Sequence, residues 1–253
     1  MSPDDLWWHL RPRPGGRQLV LVPFLGGFVA SFHPLVDELG DDWDVWCANP
    51  PGHASSSRPP VVVLRDLVEQ YARALAPVLR PGAVLLGHSL GAYLAHRIAA
   101  LLAETPTARP APSHLVLSAA AAPEEVPARG YHLLEDAELA ERAGGEDMLS
   151  GEILADPSLL AVFLPGIRAD FAVLDAVGSA PPPRVGLPTT LVLAAADPLT
   201  AAGRAEGWRA HCTGPLDRVV LRGVGHMHIT RDPAGIAATL DRLDPEPSPE
   251  GRP

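Results

Sequence analysis

The sequence contains no lysine, only two cysteines and few aromatic residues, and its basic residues are outnumbered by acidic ones. With 30 acidic residues against 20 arginines, its formal net charge is -10. A chain of this charge without a basic stripe is a poor partner for nucleic acid or for an anionic membrane surface. Cys47 and Cys212 cannot form a disulfide framework in a chain of 253 residues, so a reducing compartment is expected.

Long hydrophobic runs are also missing from this sequence. No window approaches the ~20 apolar residues that a membrane-spanning helix needs. Residues 1–14 start acidic and lack the apolar run of a signal peptide. The 47% of hydrophobic residues is nevertheless enough for one sizeable core. Together these features predict a single cytoplasmic domain.

Short apolar runs alternate with longer amphipathic ones along most of the chain. Strands are predicted at 18–24, 43–49, 83–89, 114–120, 189–197 and 217–223. They lack clean alternation of polar and apolar residues, which is typical of parallel strands covered by helices on both faces. The order of elements predicts an α/β fold with a mostly parallel open sheet and right-handed crossovers.

One region, from about 122 to 185, breaks this alternation. It contains no convincing strand, and its patterns at 133–145 and 156–177 are helical. We therefore predict a helical insertion over one edge of the sheet, a candidate lid. The predicted organisation is a first core part at 1–121, the lid at 122–185, a second core part at 186–243 and a disordered tail at 244–253.

The motif Gly87-His88-Ser89-Leu90-Gly91 ends one predicted strand and opens a helical pattern. Glycines on both sides of Ser89 permit the tight turn of a nucleophile elbow, which exposes a serine hydroxyl at the top of a sheet. The helix that follows directs backbone N–H groups at a developing oxyanion. The alternative interpretation is that Ser89 only caps this helix.

A nucleophilic serine needs a base and an orienting acid, which follow it in the order acid, then histidine, in this architecture. Asp197 ends one predicted strand and His226 follows another, where an open sheet holds its functional groups. Asp197 alternatively belongs to a turn or a helix cap. His228 competes with His226 as the base, but flanking glycines at 223 and 225 favour a tight loop that presents His226.

The second oxyanion donor is expected from the loop after the first predicted strand. We call residues 23–28 the oxyanion loop, because two adjacent glycines there let the backbone direct an N–H at the site. We assign the two donors to the backbone N–H groups of Leu25 and Leu90. The alternative is that the glycines form an ordinary turn. The histidines lack metal-ligand spacing, so no metal is expected, and the chemistry needs no organic cofactor.

With these residues in place, the sequence resembles the α/β-hydrolase superfamily. Within it, the sequence is similar to the type II thioesterases, free-standing enzymes encoded beside polyketide synthases and nonribosomal peptide synthetases. The motifs that carry the resemblance are LVPFLGGFVASFHPLVDEL, ANPPGH, LLGHSLGAYLAHRIA, LADPSLLAVFLPGIRADFAVL, AADPLT and GVGHMHI. One departure is Leu25, where the family often has a small residue. A second is Pro50-Pro51-Gly52-His53, where the family often reads Pro-Gly-Arg. The bulk of Leu25 bears on acyl preference.

The resemblance implies hydrolysis of acyl or aminoacyl thioesters on the phosphopantetheine arm of carrier proteins, in an editing role. It also implies an apolar acyl pocket, with plain packing as the alternative for each contributor: Phe24, Leu159, Leu160, Phe163, Leu164 and Phe171. Carrier proteins are usually acidic, so we expect weak, transient binding of a monomer through local arginine patches. Arg168 either contacts such a carrier or only pairs with a nearby carboxylate such as Asp170.

Three other functions stay open on the sequence alone. A general carboxylesterase would use the same three catalytic residues on small esters. A product-releasing or cyclising thioesterase acting in trans would exclude water and pass the acyl group to an internal amine or hydroxyl. A non-catalytic binding module would keep only the fold, and the intact Ser89, Asp197 and His226 argue against it.

Overall fold

The computed structural model describes residues 6–53, 56–104, 111–145, 149, 151–200 and 203–243. The tail predicted at 244–253 lies outside these described residues. Within them, one seven-stranded sheet has the order β1-β3-β2-β4-β5-β6-β7. Its strands are β1 (Trp7–Arg11), β2 (Arg17–Val22), β3 (Trp43–Ala48), β4 (Val84–His88), β5 (His114–Ser118), β6 (Thr189–Ala194) and β7 (Leu216–Leu221). All neighbouring strands are parallel except β1 and β3, so the predicted mostly parallel sheet is confirmed.

Helices cover both faces of this sheet. In the described part of the chain they are α1 (His33–Glu38), α2 (Leu64–Leu75), α3 (Leu90–Glu104), α4 (Asp136–Gly145), α5 (Gly151–Ala155), α6 (Pro157–Val177), α7 (Trp208–His211), α8 (His228–Arg231) and α9 (Pro233–Asp241). None of these helices combines the length and hydropathy that crossing a bilayer requires.

Strand β2 shows why the inner strands are largely apolar without alternation. Val20 and Val22 pack into one core with α2, α3 and α6, whereas Leu19 and Leu21 pack into a second core with α1 and α9. Successive side chains of a strand point to opposite faces, so a strand between two helical layers buries the side chains on both of its faces. The same two-sided burial explains the missing alternation in the sequence.

The sequence pattern does not predict β1, which is an antiparallel edge strand. Trp7 is 1% exposed and its indole N–H donates to the carbonyl oxygen of Tyr71 (3.1 Å), while Trp8 is 39% exposed. The pairing with β3 also shifts register between His9 and Arg11. An edge strand of this kind buries only part of its side chains, so it lacks the apolar run that marks the inner strands.

Three helices, α4, α5 and α6, lie between β5 and β6 in the chain. Because β5 and β6 are parallel neighbours, this segment leaves the sheet at the carboxyl end of β5 and returns to the amino end of β6. Between these two ends, α6 contacts α2 and α3. Asp170 on α6 also accepts a hydrogen bond from the N–H of Gly26 (2.8 Å) in the oxyanion loop. The insertion therefore lies beside the loops in which the sequence places the site.

Candidate active site

Ser89 lies in a strained turn between β4 and α3. Its φ of 53° is in the left-handed region, and its N–H donates to the carbonyl oxygen of Ser118 (2.8 Å). The two glycines of the motif are required by close backbone approach. A Cβ on Gly87 would overlap the backbone of Gly91, and a Cβ on Gly91 would overlap the carbonyl oxygen of Val22. The strand, turn and helix are the structural context of a nucleophile elbow.

The imidazole of His226 lies between Ser89 and Asp197. Ser89 Oγ–H donates to His226 Nε2 (2.9 Å), and His226 Nδ1–H donates to Asp197 Oδ2 (2.8 Å). The Asp197 side chain is fully buried, and it also accepts bonds from the Thr200 hydroxyl (2.7 Å) and the Leu199 N–H (2.9 Å). The structure thus brings the three predicted catalytic residues together from the ends of three strands.

Asp197 is held in its charged form. Burial raises the pKa of its carboxyl group, but the hydrogen bond and charge of His226, with the bonds from Thr200 and the Leu199 N–H, lower the pKa further. The net effect is a pKa below the ordinary value. A charged acid at this distance fixes the imidazole tautomer that leaves Nε2 free to take a proton from Ser89.

His228, the alternative candidate for the base, makes its hydrogen bonds to groups other than Ser89. It is fully buried, its Nδ1–H donates to the carbonyl oxygen of Gly225 (3.1 Å), and its Nε2 contacts Ser118 Oγ (2.7 Å). Ser118 Oγ also contacts Nδ1 of His88 (3.0 Å), which adjoins the nucleophile in sequence. Ser118 thus links the imidazoles of His88 and His228, and we call this arrangement the serine bridge. The geometry favours His226 as the base.

The hydrogens of this bridge can be placed by elimination. A carbonyl oxygen only accepts, so the proton of His228 is on Nδ1 and its Nε2 accepts from the Ser118 hydroxyl. The Ser118 oxygen then accepts from His88 Nδ1–H, which leaves His88 Nε2 unprotonated. That nitrogen is the buried side-chain atom without a partner among the described residues. Burial above all lowers the pKa of both imidazoles, that of His88 strongly, so both are neutral.

The predicted oxyanion donors come from two different elements of the fold. Leu25 is in the loop after β2, Leu90 is the first residue of α3, and both side chains are buried. Within the described part of the chain, neither N–H donates to a protein acceptor, whereas the neighbouring N–H of Gly26 does. An oxyanion hole requires backbone N–H donors that no protein acceptor occupies. Their assignment to this role remains a prediction.

A groove of about 610 Å³ lies between α4, α6 and the segment at 60–62. Two of the predicted acyl contacts, Leu160 and Leu164, line it, and the triad does not. Phe163 lies against Phe28 of the oxyanion loop, with 6.3 Å between ring centroids. The other three predicted contacts are distributed as follows: Leu159 is exposed, Phe171 is buried against Tyr131, and Phe24 packs on His88 and Phe32. Acyl binding by these residues stays a prediction.

Arg168 pairs within the insertion. Its guanidinium donates to Asp136 (2.6 Å) and to the carbonyl oxygens of His132 (2.7 Å) and Leu134 (2.6 Å). The carboxylate partner is therefore Asp136 and not Asp170. These bonds join α6 to the segment before α4, which is a structural role for Arg168.

The cysteines do not offer a second nucleophile. Cys47 and Cys212 are both free and buried, and burial raises the pKa of each thiol. In the described residues, no group of three His, Cys, Asp or Glu side chains is arranged to hold a metal ion.

Sequence reasoning missed two polar residues of the site, Thr200 and Ser118. Thr200 lies three residues after Asp197, a spacing at which its hydroxyl can donate a hydrogen bond to the carboxylate. This contact could therefore have been predicted from the motif AADPLT. Ser118 ends a different strand from His88 and His228 and shares no local motif with them. Only the packing of strands β4 and β5 side by side brings it to both imidazoles.

A nucleophile elbow, an acid after β6 and a histidine after β7 on a mostly parallel sheet define a serine hydrolase of the α/β-hydrolase fold. The chain belongs to the family described as Thioesterase domain, whose sequence model matches residues 17–243.

Named relatives agree with this family. A protein of Streptomyces griseus named as a probable cadicidin biosynthesis thioesterase is 27% identical over 85% of this chain, which spans 58% of that relative's length. Thioesterase PikA5 of Streptomyces venezuelae is 29% identical over 89% of this chain and 81% of its own.

Solved structures show the same fold. RedJ, a thioesterase from the prodiginine pathway of Streptomyces coelicolor, is 32% identical with a TM-score of 0.78, over 91% of this chain and 92% of its own. The type II thioesterase BorB from the borrelidin cluster is 25% identical with a TM-score of 0.82, over 95% of this chain and 98% of its own.

Proposed function

We propose that this chain is a type II thioesterase that hydrolyses acyl or aminoacyl thioesters from the phosphopantetheine arm of carrier proteins in polyketide or nonribosomal peptide biosynthesis. The observation that carries the proposal is His226 between Ser89 and Asp197, at 2.9 and 2.8 Å, in a chain of the thioesterase family. The relatives are named as thioesterases, and BorB as a type II thioesterase of a biosynthetic cluster, which supports thioesters as the substrates.

In the acylation half-reaction, Ser89 Oγ attacks the thioester carbonyl carbon while its proton passes to Nε2 of His226. The carbonyl oxygen becomes an oxyanion, which the N–H groups of Leu25 and Leu90 stabilise. The C–S bond then breaks, the proton on His226 goes to the departing thiol, and an ester on Ser89 remains. Asp197 stabilises the imidazolium in both directions of transfer.

In the deacylation half-reaction, water attacks the ester carbonyl carbon and gives one proton to His226 Nε2. The same two N–H groups hold the second oxyanion. The C–O bond to Ser89 breaks, His226 returns the proton to Ser89 Oγ, and a free carboxylic acid leaves. No cofactor enters either half-reaction.

The proposal includes a monomer of the cytoplasm that binds its carriers weakly and transiently. The net charge of -10 supports weak binding, because an acidic carrier gains no long-range attraction from it. Sedimentation equilibrium tests the monomer. Titration of a labelled acyl carrier at low and high salt tests the weak encounter.

The test of the activity compares an acyl-carrier thioester with the matching oxyester for wild type, Ser89→Ala and Ser113→Ala. Ser113 is a matched control, since its hydroxyl bonds the carbonyl oxygen of Ala83 (3.3 Å) just before β5. We expect wild type and Ser113→Ala to prefer the thioester, and Ser89→Ala to lose about 10³-fold or more in kcat. Full activity of Ser89→Ala refutes the mechanism.

The products of the same assay separate the competing functions. Release of the free acid from a full-length thioester supports editing hydrolysis. A ring or an amide as the main product identifies a cyclising or product-releasing thioesterase. Cleavage of the oxyester alone identifies a general carboxylesterase and contradicts the proposed substrate class.

A further inference from the structure

We propose that Asp170, on α6 of the insertion, is a positioning residue that fixes the oxyanion loop, so that the insertion and the oxyanion hole act as one unit. The inference rests on the proposed function, because it concerns how the same site holds its oxyanion donors. No local motif links Asp170 to this loop, which is 144 residues away in the chain.

One carboxylate oxygen of Asp170 joins three parts of the fold. Oδ2 accepts the backbone N–H of Gly26 (2.8 Å) and Nε2–H of His53 (3.1 Å), from the loops after β2 and β3. Asp170 is 8% exposed and His53 is 4% exposed, so neither bond competes with bulk water. A buried carboxylate that accepts two donors holds both in a narrow range of directions.

The bond to Gly26 acts on the adjacent oxyanion donor. The N–H of Gly26 belongs to the peptide unit that contains the carbonyl of Leu25, so fixing it fixes the orientation of that plane. Gly26 has a φ of +73°, which turns the chain at this point, and the N–H of Gly27 closes the turn on the carbonyl oxygen of Phe24 (2.8 Å). The direction of the Leu25 N–H therefore depends on where Asp170 holds the loop.

A glycine one helical turn before Asp170 lets α6 lie this close. A Cβ on Gly166 would be 2.8 Å from the carbonyl oxygen of Gly52 and 2.9 Å from the ring of His53. Gly166 and Asp170 are four residues apart and thus share one face of α6. This face is built to lie against the loop that carries His53.

The charge of Asp170 also acts on the pKa of its neighbours. Burial lowers the pKa of His53, but the charge of Asp170 and the hydrogen bond to it raise the pKa further, with a net pKa above the ordinary value. From α2, the buried phenol of Tyr71 also faces Asp170, whose charge adds to burial in raising the pKa of Tyr71. A neutral replacement of Asp170 would therefore remove the charge that raises the pKa of His53.

The chain offers a matched control on the same helix. Asp175 accepts the backbone N–H groups of Arg129 (2.7 Å) and Gly130 (2.9 Å) and Nδ1–H of His132 (2.8 Å). It thus makes the same kinds of bonds as Asp170, but to the segment before α4 and not to the oxyanion loop. If the loss of any buried carboxylate from α6 disturbs the fold, substitutions of Asp170 and Asp175 have similar effects. If the oxyanion hole is disturbed, only the substitution of Asp170 lowers kcat.

The experiment measures kcat and KM for Asp170→Ala, Asp170→Asn and Asp175→Ala, with an acyl-carrier thioester and with p-nitrophenyl acetate. We expect Asp170→Ala to lower kcat about 10–100-fold on both substrates with KM changed less than about threefold, since a displaced donor acts mainly in the transition state. Asp170→Asn keeps an acceptor oxygen, so partial rescue to a loss of about 3–10-fold is expected. Asp175→Ala is expected to keep kcat within about threefold.

Three results would overturn the inference. They are a wild-type kcat in Asp170→Ala, an equal loss in Asp175→Ala, and a loss that appears in KM alone. If Asp170→Ala does not fold, Asp170→Asn decides, and a wild-type kcat in that variant overturns the inference. Failure of wild type on the thioester with activity on p-nitrophenyl acetate refutes the proposed function, while the ester still tests Asp170.

Discussion

The serine bridge between His88 and His228 makes a stability prediction whose size follows from counting hydrogens. His88, Ser118 and His228 contribute one hydrogen each, and all three are used between the two rings and the carbonyl oxygen of Gly225. Ser118→Ala removes the bridge and leaves His88 Nδ1–H and His228 Nε2 without partners. Both imidazoles are fully buried, so solvent water cannot take the place of the lost hydroxyl as a hydrogen-bond partner.

Each buried polar group left unpaired costs about 1–3 kcal/mol, so Ser118→Ala should lose about 2–6 kcal/mol of unfolding free energy. For a chain of this size, the loss corresponds to a fall in Tm of roughly 5–20 °C. The bond between the Ser89 N–H and the backbone carbonyl of Ser118 (2.8 Å) survives the substitution. The folded variant should therefore keep most of its kcat.

Urea unfolding followed by circular dichroism measures this loss, with Thr190→Val as a control. Thr190 also bonds an imidazole, His114 Nε2 (2.9 Å), but His114 is only half-buried and can turn to water. The control should lose no more than about 1 kcal/mol. A loss in Ser118→Ala as small as that in Thr190→Val would refute the tautomers and the bridge.

Three further predictions follow from the site. Asp197→Asn should lower kcat by about 10³–10⁴-fold with little change in KM, because the wrong imidazole tautomer is then held towards Ser89. Gly91→Ala should lose more than about 3 kcal/mol of unfolding free energy, because its Cβ would overlap the carbonyl oxygen of Val22. The difference in unfolding free energy between wild type and His53→Gln should be largest below pH 6.5 and fall as pH rises through the raised folded-state pKa of His53.

Steady-state kinetics, urea unfolding and unfolding at a series of pH values measure these three effects in turn. A kcat of Asp197→Asn close to that of wild type contradicts the acid assignment. An unfolding midpoint of Gly91→Ala equal to that of wild type contradicts the close approach of α3 and β2. A difference for His53→Gln that grows with pH means that His53 is neutral beside Asp170.

Much of the fold was predictable because the burial of the inner strands is visible in their apolar composition. An inner parallel strand is largely apolar, so β2 to β6 and the helices between them can be found from composition along the chain. The second edge strand, β7, still carries a short apolar run at 219–221 that marks it. The edge strand β1 cannot be found this way. Trp7 is buried while Trp8 is exposed, and its pairing depends on β3, more than 30 residues away.

The triad was predictable because its order in the chain and its places after strands are set by the fold. The contacts of Asp170 were not, because they depend on how α6 crosses two loops. The resemblance directed attention to Arg168 in the same motif, with Asp170 as its possible partner. In the structure Arg168 pairs with Asp136. Likewise, the serine bridge joins residues that share no local pattern.

The central claim is that Ser89 carries the acyl group during turnover. The most direct test mixes wild type with an acyl-carrier thioester, quenches the reaction with acid before turnover is complete, and locates the added mass by peptide mass spectrometry. The account predicts the acyl mass on the peptide that contains Ser89, and its absence in Ser89→Ala. Two results would contradict the claim. One is steady release of acid while Ser89 stays unmodified at every quench time, and the other is the acyl mass on a different residue.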